Sequence, residues 1–196
     1  MSEPSRNAPP IASVEDLLAW TAGRDEKWQL MDGVLVMMAG GSEAHAAIAA
    51  NAIGEFHTRL RGTGCRSYGS DLMVKIDHRT GVYPDVSVTC QRERAAYIMA
   101  PVVVIEVLSE STERDDRGRK WQLYQRLESL KHYVLLDQER IRAEVWDRLE
   151  EGGGWRYRLL DDPDAEIELA ALDIRLPLRA LYEDALPGAG DREAGA

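Results

Sequence analysis

The chain has 196 residues, of which 44% are hydrophobic, enough for one domain with a substantial core. No apolar run approaches the roughly 18 residues of a membrane-spanning helix, so no membrane partner is expected. The formal net charge of -10 excludes a general nucleic-acid coat protein but not a nuclease, because an acidic site can gather divalent metal and so approach a phosphate.

Residues 1–12 are rich in Pro and polar side chains and read as a flexible tail; they carry neither the basic start nor the apolar stretch of a secretory signal. "SVEDLLAWTAG" predicts a short helix, with Ser13 as N-cap, Asp16 three residues on and Gly23 as its stop. "KWQLMDGVLVMMAG" predicts a hairpin, because two β-rich runs flank Asp32-Gly33. Ser42 then opens a longer helix, "EAHAAIAANAIGEFHTRLRG", ending near Gly62 or Gly64. Its stripe of His45, Ala49, Ala52, Ile53, Phe56 and Leu60 should face the core.

"CRSYGSDLMVKID" reads as one strand kinked at Gly69, and "YPDVSVTC" as another behind Pro84. "VVVIEVL" is continuously apolar, as in a strand covered on both faces, except for Glu106. Ser111 or Thr112 should cap a helix, "ERDDRGRKWQLYQRL". "HYVLLD", "RAEVWDR" and "GWRYRLL" predict three more strands, and residues 187–196 a second flexible tail. A single domain over 13–186 is expected, α/β (α+β) with a mixed sheet. Cys65 and Cys90 are not spaced like a zinc site, so the expectation is a cytoplasmic protein with reduced thiols serving as small core residues.

An ionised carboxylate at Glu106 would lose several kcal/mol of solvation unless something compensates. Asp85 begins the preceding strand, and if the two strands pair, both carboxylates converge. Two such groups repel unless a cation lies between them. Mg²⁺ suits the site, taking one or two carboxylates, carbonyls and water, and it would polarise a phosphoryl oxygen. Asp116, Lys120 and Tyr124, spaced i, i+4, i+8, share one helix face, so Asp116 can direct Lys120 and the Tyr124 hydroxyl can reach a partner. Each residue also has a plainer reading: Asp85 as a turn residue, Glu106 in an ion pair with an arginine, Asp116-Lys120 as an ordinary helical pair, His45 as a core-edge histidine. The combination carries the argument.

That combination resembles the PD-(D/E)XK nuclease superfamily, and within it the bacterial restriction-endonuclease family in which the lysine is displaced to the following helix. The matching stretches are "WQLMDGVLVMMAG", a helix with His45 near its start, "YPDVSV", "VVVIEVLSESTERDDRGRK", "LYQRLESLKHYVLLD" and "AEVWDR". The resemblance implies a restriction-endonuclease-like fold, a mixed central sheet flanked by helices, and hydrolysis of DNA phosphodiesters dependent on Mg²⁺, with Mn²⁺ as a substitute. It implies Asp85, Glu106 and Lys120 as catalytic residues, with Asp85, Glu106 and the Val107 carbonyl as metal ligands. His45, Asp116 and Tyr124 would support them, and Arg117, Arg119, Arg126 and Lys131 would meet phosphates. The superfamily lysine is expected two residues after the acid, where this chain has Leu108. A homodimer is expected for double-strand cutting. The alternative is a non-catalytic nucleic-acid-binding or assembly protein on the same fold.

Overall fold

The computed structural model describes residues 11–186 apart from Ala39, Arg94 and Ser111. Ser111, one of the two expected caps, and most of both tails therefore lie outside the described residues.

Helix α1 (Val14–Thr21) opens with a capping box: Asp16 N–H donates to Ser13 Oγ at 3.1 Å, and Ser13 N–H to the Asp16 carboxylate at 3.0 Å. Strands β1 (Trp28–Met31) and β2 (Val34–Met37) form the expected antiparallel hairpin. Its turn residues have φ of 51° at Asp32 and 80° at Gly33, the left-handed pair that a tight two-residue turn requires. Helix α2 (Glu43–Arg59) follows, with Ser42 Oγ accepting the His45 N–H at 3.1 Å.

The stretch expected as one kinked strand divides between two sheets. Strand β3 (Arg66–Gly69) and strand β4 (Met73–Asp77) are separated by a turn closed by Leu72 N–H on the Gly69 carbonyl at 3.3 Å. Strands β5 (Thr80–Val82), β6 (Val86–Thr89), β7 (Tyr97–Ile98) and β8 (Pro101–Leu108) complete the middle of the chain.

The next expected helix is also divided. A single turn, α3 (Glu113–Asp115), runs into a π-helical turn over Asp116–Lys120 and then α4 (Trp121–Tyr124). Within the π turn the Tyr133 hydroxyl donates to the Asp116 carbonyl at 2.9 Å, and Gly118 offers little resistance to rewinding. Strands β9 (His132–Asp137), β10 (Ala143–Arg148) and β11 (Trp155–Leu160) occur as expected. Beyond them lie β12 (Glu166–Leu169), β13 (Ile174–Pro177) and α5 (Leu178–Leu181), which the sequence pattern does not announce.

The larger sheet runs β11-β10-β9-β8-β6-β3 and the smaller β2-β1-β5-β4-β7; β12 and β13 pair by themselves. In the larger sheet only β8 and β9 are parallel, so α3, the π turn and α4 form the crossover between them. Strand β8 is buried on both faces. Val103, Ile105 and Val107 join α2 (Ile48, Ala52, Phe56) in one apolar cluster. Val104 and Leu108 face the other way, toward Tyr124, Tyr133 and residues of the smaller sheet such as Val74 and Val82. Each fully buried side chain of this size contributes roughly 1.5–3 kcal/mol. By the two-residue period of a strand, Glu106 lies on the second face, under the crossover.

Two features correct or extend the sequence reading. Cys65 and Cys90 are not separate reduced thiols but form a disulfide, with Cα atoms 3.9 Å apart. They flank the terminal Arg66–Thr89 pair of β3 and β6, which sets them opposite one another. Buried Asp147 on β10 gathers His132 Nδ1 at 2.8 Å, Arg158 Nε at 2.8 Å and Arg156 Nη2 at 3.1 Å. Because His132 Nε2 accepts the Ala171 N–H at 3.2 Å, the imidazole proton sits on Nδ1 and is donated to Asp147. Burial alone would raise Asp147, but these donors hold it well below the usual carboxylate range. No helix among the described residues is long and apolar enough to cross a membrane.

Candidate active site

The β6–β8 register places Val86 opposite Ile105, so Asp85 stands one step beyond the last pair, beside Glu106. Asp85 Oδ2 accepts the Val107 N–H at 2.7 Å, which ties the carboxylate to the backbone of the strand bearing Glu106. His45, in the first turn of α2, brings Nε2 to 3.2 Å from the same oxygen. The Asp85 carboxylate raises the His45 pKa against the opposing effect of burial. Gly41 makes room for that imidazole: a Cβ there would lie 2.7 Å from His45 Nδ1.

Glu106 is 1% exposed. Its Oε1 receives the Tyr124 hydroxyl at 2.9 Å and faces Lys120 Nζ at 3.1 Å. Lys120 Nζ also lies 2.8 Å from Asp116 Oδ1. The Glu106 pKa is pushed up to about 8: burial is the main cause, Lys120 opposes it, and Asp116 and Asp85 add to it. Burial alone would depress Lys120, yet Glu106 and Asp116 hold its ammonium above the usual lysine range. The structure therefore brings Asp85, Glu106, Lys120, His45, Asp116 and Tyr124 together from α2, β6, β8 and the crossover. The Asp116-Lys120 pair is a buried one and not the ordinary exposed pair that its spacing also allowed.

The donor atoms suit a hard cation. Asp85, Glu106 and the Val107 carbonyl offer only oxygen, and a divalent charge would offset the burial that drives Glu106 upward. Among the described residues no group of three His, Cys, Asp or Glu side chains could hold a metal ion. Two carboxylates and one carbonyl do not make a closed protein cage, so an ion held by them would have to keep much of its water.

The arginines of the crossover are placed differently from expectation. Arg117 Nε donates to Glu144 at 3.2 Å, Arg119 Nη2 to the Met31 carbonyl at 2.6 Å, and Arg126 Nη1 to Asp32 at 2.7 Å. They fasten the crossover to β10, to β1 and to the β1–β2 turn. Lys131 is exposed just before β9. Residues missed by the sequence reading line the cleft of about 150 Å³ above Glu106, among them Gln29, Val36, Met37, Met38 and Tyr83. The one available signal for them was Gly40-Gly41 between the hairpin and a histidine-bearing helix.

The fold is that of the restriction-endonuclease-like nucleases. A protein of Anabaena variabilis, described as a putative nuclease belonging to DUF820, superposes with a TM-score of 0.71 at 16% identity, covering 89% of this chain and 99% of its own. The model of the Uma2 family, described as "Putative restriction endonuclease", matches residues 14–179, and the chain belongs to that family. Two uncharacterized proteins of Synechocystis are similar along much of their length. One is 35% identical over 183 residues, covering 91% of this chain and 95% of the relative. The other is 25% identical over 155 residues, covering 76% and 87%.

Proposed function

We propose that the chain is a Mg²⁺-dependent endonuclease that hydrolyses DNA phosphodiester bonds, with Asp85, Glu106 and Lys120 around the reacting phosphate. The observation that carries this reading is the convergence of two carboxylates and a buried ammonium in one cleft, on elements that fix each of them. Asp85 and Glu106, with the Val107 carbonyl, would hold Mg²⁺ or Mn²⁺. When bound, the ion supplies positive charge that polarises a phosphoryl oxygen and acidifies water.

The chain's own groups do the rest. Lys120, kept protonated by Asp116, presents a fixed charge to the negative charge that develops on the phosphate. Tyr124 directs one oxygen of Glu106 and leaves the other for the ion. The Val107 N–H and His45 do the same for Asp85. Cutting both strands of a duplex would call for two copies of the chain.

The test compares wild type with Glu106→Gln on supercoiled, linear and single-stranded DNA, with Mg²⁺, Mn²⁺ or EDTA. Cleavage by wild type alone, abolished by EDTA, is expected. Absence of cleavage, together with no Mg²⁺ or Mn²⁺ binding by calorimetry, would sink the reading in favour of a non-catalytic binding protein.

A further inference from the structure

The site is recessed. Glu106 and Asp116 are each 1% exposed and Lys120 is 6% exposed, beneath a wall formed by Val36, Met37 and Met38. A phosphate in a paired duplex stays on the rim of a stiff cylinder, whereas a flexible strand can dip into such a cleft. The cleft continues into a wider groove of about 660 Å³. Small side chains of α2, Ala46, Ala49 and Ala50, line that groove together with Met37 and Met38.

Charge points the same way. The lysines lining the two cavities already face carboxylates: Lys27 Nζ lies 3.1 Å from Asp71 and Lys120 Nζ 2.8 Å from Asp116. Asp25, Glu26 and Asp115 add further negative charge to the walls. Duplex and single strand both draw affinity from cations on phosphates, the duplex with the steeper dependence, so walls whose lysines already face carboxylates cost a duplex more. These walls offer apolar surface instead, notably Met37, which is 48% exposed. Unpaired bases expose faces that gain by covering such apolar surface, and a duplex keeps its base faces stacked inside.

We propose that the site takes its phosphodiester from an unpaired strand, so that the substrate class is single-stranded nucleic acid or the single-stranded part of a longer molecule. The proposal rests on the nuclease reading above. The bases lie along the Met37–Met38 wall and the alanine-lined groove, and one phosphate reaches Asp85, Glu106 and Lys120.

The test uses the full chain with Mg²⁺ or Mn²⁺ and three labelled substrates of one sequence: a single strand, a blunt duplex and a duplex with an unpaired tail. The expected result is cleavage of the single strand and of the tail, with the paired region cut at least about tenfold more slowly, as loss of one base contact would give. A blunt duplex cut as fast as the single strand, with both cuts lost in Glu106→Gln, overturns the strand preference and leaves the nuclease reading standing. Cleavage of no substrate overturns the strand preference, and it overturns the nuclease reading as well when calorimetry finds no Mg²⁺ or Mn²⁺ bound. Met37→Glu, at an exposed position, is expected to raise KM for the single strand about tenfold with kcat little changed. An unchanged KM removes the wall from the argument and overturns the placement of the bases.

Discussion

Tyr124 and Glu106 are joined by a 2.9 Å hydrogen bond between two fully buried side chains, on the same carboxylate oxygen that faces Lys120. The phenol is therefore part of what orients the acid. Tyr124→Phe keeps the ring in the core and removes only the donor. Stability should fall by about 1 kcal/mol, and cleavage by roughly tenfold in kcat with KM little changed. Equal kcat in the two proteins would show that this bond does not position Glu106.

Lys120 stands between two buried carboxylates. Lys120→Met should destabilise the fold by roughly 3–5 kcal/mol, because both acids lose their counter-charge. The triple variant Lys120→Met, Glu106→Gln, Asp116→Asn should recover most of that loss while remaining inactive. Urea denaturation measures both. A single variant as stable as wild type would mean that the ammonium is not what holds this cluster together.

Addition of Mg²⁺ or Mn²⁺ should raise the thermal midpoint of wild type and not that of Asp85→Asn. At a hundredfold excess over Kd the stabilisation is about 2.7 kcal/mol. An equal shift in both proteins would place the ion elsewhere.

Asp147 gives the fold an acid limb. Its folded pKa is depressed, so its contribution to stability is present above the unfolded value of about 4 and is lost as pH falls below it toward the folded value. Asp147→Asn should cost about 3 kcal/mol at neutral pH and flatten the loss of stability below about pH 4. Denaturation midpoints across pH 2–7 (about that range) test this. Parallel acid limbs in the two proteins would assign the effect to other carboxylates.

The Cys65–Cys90 bond closes a loop of sequence separation 25. Reduction, or replacement of both cysteines by serine, should lower stability by about 3 kcal/mol. Thiol titration of the unfolded protein before and after reductant establishes the bond. Two titratable thiols without reductant would restore the reading of free cysteines.

The centre of this site was legible because burial and charge conflict there. Glu106 stands out in an apolar strand, and Asp116, Lys120 and Tyr124 follow a helical spacing that survives the π turn. Ser13, Ser42 and Asp32-Gly33 were legible for a related reason, since caps and tight turns are local chemistry. What escaped was long-range. The split of residues 65–77 between two sheets depends on partners elsewhere in the chain, as do the β12–β13 pair and α5. The arginines of the crossover read as phosphate contacts because Met31, Asp32 and Glu144 are remote in sequence. The cysteines were misread because their opposition follows from a strand register that no spacing rule reveals.

Leu108 occupies the position where the resembling superfamily carries its lysine, and it packs in the apolar cluster with Leu123 and Tyr124. The ammonium reaches Glu106 instead from Lys120, on the segment that leaves β8 and returns to lie parallel in β9. A crossover of this kind passes back over its own sheet, so two distant chain positions can address one point in space. The chemistry of such a site belongs to that point and not to an interval in the sequence. A search that demands a lysine two residues after the acid will pass over chains like this one.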